Sequence, residues 1–227
     1  MSSQIQLVVN EIRRRVLLGE YQAGERLVEL KISAELGVSR TPIRLAFEEL
    51  AKDGVLERLE TRGFKVKRFD RKSLSDAIDV RGVLEGMAAR SLAEVGMKIE
   101  VSNVLSACVQ DGRELLIDAA ANEKKIDASK WMQMNATFHE TLVNASENIA
   151  LVEALRHVSK NPMASAARLS LTGSAPELEY SFIERAQRDH EDILEALIAR
   201  EGSRVEALMR EHARRSRDNK SRLLKMP

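Results

Sequence analysis

Cysteine, proline and glycine are scarce in this chain of 227 residues, which holds one, four and eleven of them. The single thiol, Cys108, excludes an internal disulfide. Its apolar neighbours Val104, Leu105 and Val109 mark it as a small core residue rather than a redox group. Few helix breakers, alongside plentiful Leu, Ala, Glu and Arg, favour helix over sheet. No uninterrupted apolar run reaches the roughly 18 residues a membrane span needs. The opening Met1-Ser2-Ser3-Gln4 also lacks the basic-then-apolar profile of a secretory signal. The expectation is a cytoplasmic protein. Charge of one sign is missing too: 36 basic and 35 acidic residues leave +1. Net charge therefore neither demands nor excludes a nucleic-acid partner, and the placement of the charges decides. What remains, 44% hydrophobic and 31% charged, suits one large soluble domain or two modest ones.

Periodicity divides the chain. Ile5, Val8, Val9, Ile12 and Val16 form one face of a first helix that Gly19 ends. A short helix follows from about Val28 to Leu36, with Leu30 and Ile32 expected inward. Gly37 breaks it, because glycine enters the left-handed region without a side-chain clash. Ser39 is a natural N-cap for a third helix, and Pro42 falls in its first turn, where no N–H is missed. That helix runs through Ile43, Ala46, Phe47 and Leu50 to Lys52. Val55–Leu59 and Phe64–Lys67 read as two strands of a hairpin turning at Glu60-Thr61-Arg62-Gly63. After a polar joint at 69–72, Ser73 opens a helical series, with Asp76 completing a partial capping box. Helices are expected over 73–95, 98–121, 127–145, 147–171, 177–200 and 202–224. The fold class is mainly α: a winged helix-turn-helix over 1–69 and an antiparallel six-helix bundle over 73–227.

The order helix, short helix, glycine turn, helix, hairpin is what a major-groove reader requires. Arg40 and Arg44 stand one turn apart on the third helix, away from the Ile43–Phe47–Leu50 face. Arginine suits bidentate contact with guanine, while Ser39, Thr41 and the helix N-terminus suit phosphates. Arg62, Gly63 and Lys65 offer a second contact from the hairpin. Double-stranded DNA is the expected partner. Two-fold operators match two-fold proteins, so a homodimer is expected as well.

Three of the four histidines interrupt apolar stripes on three different helices: His139 among Trp131, Asn135, Leu142 and Val143; His190 among Ile183, Ile193 and Leu197; His212 among Val205, Leu208 and Met209. Burying three imidazoles apart needs three sets of partners, whereas one divalent cation satisfies them together. Asn135, one turn before His139, adds a carbonyl oxygen. Zinc or nickel suits such a set. Isolated histidines on apolar stripes are also common core residues, so both readings stand. His157, between Arg156 and Lys160, reads as a surface residue.

Leu36-Gly37-Val38-Ser39-Arg40-Thr41-Pro42-Ile43-Arg44, then Leu50–Leu56, then Arg62-Gly63-Phe64-Lys65-Val66, resembles the GntR family of transcription regulators. Leu45 and Phe47 depart from the Glu and Leu common there. The remainder is similar to the FCD ligand-binding domain of that family's FadR-type branch, in its shorter VanR-like form. The resemblance implies a metal held by Asn135, His139, His190 and His212, with Asn135 standing where Asp is usual. It implies a small carboxylate effector, for which Arg81, four residues before Glu85, is the clamp. By residue chemistry alone Arg81 serves equally as an i,i+4 ion-pair partner of Glu85. The expected function is a repressor, not an enzyme, controlled by a metal-held carboxylate. A regulator sensing the metal alone and a metal-dependent bundle enzyme are the alternatives.

Overall fold

The structure is a computed structural model that describes residues 3–17, 19–61, 63–68, 71–159 and 176–223. The described residues cluster into two compact units, the first ending at Ser73 and the second comprising the remainder.

The first unit contains α1 (Ser3–Leu17), β1 (Arg26–Leu27), α2 (Glu29–Leu36), α3 (Arg40–Lys52), β2 (Leu56–Arg58) and β3 (Phe64–Val66). Val8, Val9 and Ile12 of α1 pack with Ile32, Ile43, Phe47 and Leu50 in its core. Phe47 meets Phe64 edge-on at 5.5 Å, which fixes α3 against the sheet. Gly37 sits at φ +64°, as the expected break requires. The Ser33 hydroxyl closes that turn by donating to the Val38 carbonyl at 2.6 Å. Three details differ from expectation. Leu30 is exposed rather than inward, because α2 buries only its Ile32 face. Ser39 occupies the N-cap of α3 in extended backbone, yet its hydroxyl makes no capping bond. Among the described residues the sheet has three strands, not two, in the order β1-β3-β2, all antiparallel, with Leu27 and Arg58 flanking Phe64.

The second unit is helical: α4 (Arg71–Val95), α5 (Ile99–Ala121), α6 (Ala128–Ala145), α7 (Ile149–Val158), α8 (Pro176–Ile198) and α9 (Gly202–Leu223). Five of these follow the expected bounds closely. The expected helix over 147–171 is described as α7 to Val158, and its remainder falls among residues 160–175, outside the described residues. Since α4 already begins at Arg71, Ser73 lies inside its first turn rather than opening the helix. No described helix is long and apolar enough to cross a membrane.

Two features position the later site. The Asp127 carboxylate accepts from the Ser129 and Lys130 N–H groups at 3.1 Å, capping the helix that carries Asn135 and His139. On α4, Gly82 and Gly86 let the backbone approach α9. A Cβ on Gly82 would fall 2.5 Å from that of Ala213, and one on Gly86 would fall 3.1 Å from the Glu206 carbonyl. This contact brings Arg81 and Glu85 beside His212. Gly82→Ala is expected to destabilise the helical unit by about 1–2 kcal/mol, overpacking outweighing the helix-propensity gain. An unchanged denaturation midpoint would refute the close contact.

Candidate functional site

The first unit presents the N-terminal half of α3 to solvent. Pro42, Ile43, Ala46 and Phe47 are buried, so Arg40, Thr41, Arg44 and Leu45 are left facing outward. Arg40 forms an exposed pair with Glu29 of α2 at 3.2 Å. Arg44 is exposed and makes no ion pair or hydrogen bond to a described residue. In the wing, Lys65 pairs with Glu57 at 2.7 Å. Gly63 takes φ +102°, a conformation open to glycine. Arg62 lies outside the described residues. Arg26 was not singled out in the sequence, yet β1 places it under the wing turn, with its guanidinium 3.7 Å from where a Gly63 Cβ would stand. A two-residue strand carries no periodicity from which this could be read.

In the second unit α6, α8 and α9 bring His139, His190 and His212 together, all buried, with one candidate ligand atom of each within 4.8 Å of the others. Ring centroids stand 5.4 Å apart for His139–His190, 5.3 Å for His139–His212 and 4.9 Å for His190–His212. Phe138 stacks on His190 at 4.4 Å and Trp131 lies beyond at 6.0 Å. Both ring nitrogens of His190 and both of His139 lack a hydrogen-bond partner among the described residues. Asn135 is buried and lines the same small cavity as Arg81, His139, Asp189 and His212. His157 is exposed and apart from this group.

Carboxylates back two of the imidazoles. Glu85 Oε2 lies 3.3 Å from His139 Nδ1, without the alignment of a hydrogen bond. Asp189 Oδ2 lies 3.3 Å from His212 Nδ1 and is bonded to it. These contacts on Nδ1 leave Nε2 as the outward donor, the arrangement that orients histidine ligands in metal sites. Burial acting alone would raise Glu85, but Arg81 and the histidines outweigh it and bring it down to about 2. Burial pushes His190 well below its ordinary 6.5, helped by His212 and His139. His212 is lowered as well, chiefly by burial and against the opposing pull of Asp189. Both rings are therefore neutral near pH 7, the form that coordinates a cation.

Tetrahedral bonds of roughly 2.1 Å would set ligand nitrogens about 3.4 Å apart, within small side-chain rotations of this cluster. The orphaned ring nitrogens, together with an adjacent amide, fit a borderline transition metal. The sequence did not point to Asp189, which accepts from Arg215 at 2.6 Å and pairs with Arg185 at 3.1 Å. Its only local signs are its place beside His190 and the i,i+4 spacing from Arg185. The Arg81–Glu85 pair, Nε to Oε1 3.5 Å, is buried at both ends and so is not a solvent-screened surface pair.

Residues 4–66 match the bacterial regulatory proteins of the gntR family, and residues 76–215 match the FCD domain. A probable D-xylose utilization operon transcriptional repressor of Paenarthrobacter nicotinovorans is 30% identical over 217 residues, 93% of this chain and 85% of that protein. The uncharacterized HTH-type transcriptional regulator YdhC of Bacillus subtilis (strain 168) is 27% identical over 66% of this chain and 64% of its own length. Among solved structures, E. coli McbR/YncC superposes with a TM-score of 0.71 at 19% identity, covering 99% of this chain and 100% of that one. The chain belongs to the GntR family, with an FCD domain following its winged helix-turn-helix. It is a DNA-binding transcriptional regulator, and its relatives are regulators rather than enzymes.

Proposed function

We propose that this regulator is a homodimeric, cytoplasmic repressor whose grip on operator DNA is set by a small carboxylate bound at a metal site in the helical unit. In this reading residues 1–69 read DNA through Ser39, Arg40, Thr41, Arg44, Arg62, Gly63 and Lys65, and residues 73–227 bind effector and dimerise. Asn135, His139, His190 and His212 would hold a zinc or nickel ion, which supplies a Lewis-acidic anchor for an anionic ligand. The supporting observation is the convergence of three buried imidazoles, four of whose ring nitrogens make no hydrogen bond to a described residue, with the Arg81 guanidinium on the same wall. Arg81 orients a carboxylate in bidentate fashion. Glu85 and Asp189 hold His139 and His212 in place. Arg81 belongs to α4, which begins at Arg71, soon after β3 ends at Val66. An effector with unequal affinity for two placements of α4 shifts operator affinity through that short connection.

The test is a thermal-shift screen of small carboxylates with and without zinc or nickel, followed by operator release. A carboxylate should raise the melting temperature only with metal present and should release DNA. Release by metal alone, with no carboxylate active, would favour a pure metal sensor and refute the effector.

A further inference from the structure

α3 turns its large apolar side chains inward with a single exception. Ile43, Phe47 and Leu50 are buried, whereas Leu45 is left 45% exposed. A lone surface leucine ordinarily needs no account. This one stands beside Arg44 on the outward face, one helical turn after Thr41 and one before Glu48. Glu48 is paired with Arg58 of β2, whose guanidinium also lies over the Phe64 ring at 5.3 Å. That pairing neutralises the carboxylate and ties it to the sheet. In its second turn, then, α3 offers outward one cation, Arg44, and one apolar group, Leu45. Every other residue exposed on this helix is polar, so Leu45 is no part of an apolar patch running along α3.

A helix that enters a major groove loses water from its outward side chains. A leucine dehydrated against a base-edge donor or acceptor strips that group of its own water and returns no hydrogen bond. The groove holds one apolar feature that escapes this cost, the C5-methyl group of thymine. Contact with it removes apolar surface from water on both sides. Since adjacent helix residues rise by only about 1.5 Å, against about 3.4 Å between stacked base pairs, Leu45 and Arg44 meet neighbouring positions of one site.

We infer that Leu45 is a specificity-determining residue that packs on a thymine methyl group, within about two base pairs of the guanine met by Arg44. This rests on the reading of α3 as the recognition helix. The experiment replaces each thymine of a duplex selected from a random pool, one at a time, with deoxyuridine, which lacks only that methyl. The full chain and its Leu45→Ala and Arg44→Ala variants are titrated at fixed salt. Alanine is the best helix former and position 45 is exposed, so the Leu45→Ala variant keeps its fold, which its melting curve checks. The parent should lose about three- to tenfold at one thymine of each half-site, and Leu45→Ala should bind the two duplexes equally. No loss at any position, or the same loss in Leu45→Ala, would overturn the assignment. If Arg44→Ala still weakens binding in that case, α3 remains the reading helix. If Arg44→Ala also binds like the parent, both readings fall.

Discussion

Replacing Arg44 with alanine is expected to weaken specific operator binding by about 1–3 kcal/mol, roughly five- to 150-fold. The argument rests on what α3 leaves available. Its buried face is occupied by Ile43, Ala46, Phe47 and Leu50, so the remaining arc presents Arg40, Thr41 and Arg44. Of the two arginines only Arg44 lacks a partner among the described residues, since Arg40 is drawn to Glu29. An unpaired arginine on the first turns of a recognition helix breaks no protein contact on reaching guanine, and a bidentate contact carries base discrimination. Lys65 differs: it is paired to Glu57 on the wing and is proposed to meet phosphates, so Lys65→Ala should lower affinity evenly across sequences and flatten the salt dependence. A duplex selected from a random pool and titrated at fixed salt distinguishes them. Equal binding by Arg44→Ala and the parent to that duplex would remove α3 from the reading role.

How much of this was legible beforehand depended on whether the signal was local. Gly37, Ser39 and Pro42 punctuate α3 so tightly that its start follows from backbone chemistry. Three histidines on three apolar stripes likewise announced a shared interior. What escaped was set by tertiary contact. β1 spans two residues and exists because Leu27 and Arg26 pair with β3, which no local pattern encodes. Leu30 looks like core by composition, but α2 is short and buries a single face. Ser73 looked like the start of its helix by local chemistry, but α4 begins two residues earlier, at Arg71. Asp189 was missed because its role comes from His212 and Arg215 on another helix. The Arg81–Glu85 spacing was visible, but its burial, which turns a weak surface pair into a costly interior one, was not.

His190→Phe is expected to have opposite effects on the metal-free and metal-loaded protein. His190 is fully buried against Phe138 and Trp131, with neither ring nitrogen hydrogen-bonded. An unsatisfied buried polar group costs about 1–3 kcal/mol, so in chelator the phenyl variant should melt higher than the parent. With metal the order reverses. An ion at about a thousandfold over its dissociation constant stabilises the folded parent by roughly 4 kcal/mol, a gain the variant cannot take up with one of its three imidazoles gone. Acid provides an independent check on the metal-free protein. Because the folded state holds His190 well below 6.5, the unfolded chain binds the extra proton as pH falls below that value. Parental stability therefore declines as pH drops below about 6.5, and the phenyl variant, lacking this group, should decline less steeply. Calorimetric melting of both proteins, in chelator and in zinc, across that pH range reads every one of these signs. A parent indifferent to metal would mean that the three histidines are core residues and hold no ion. A variant that still gains the full stabilisation from zinc would mean the ion binds without His190, which would break the proposed ligand set.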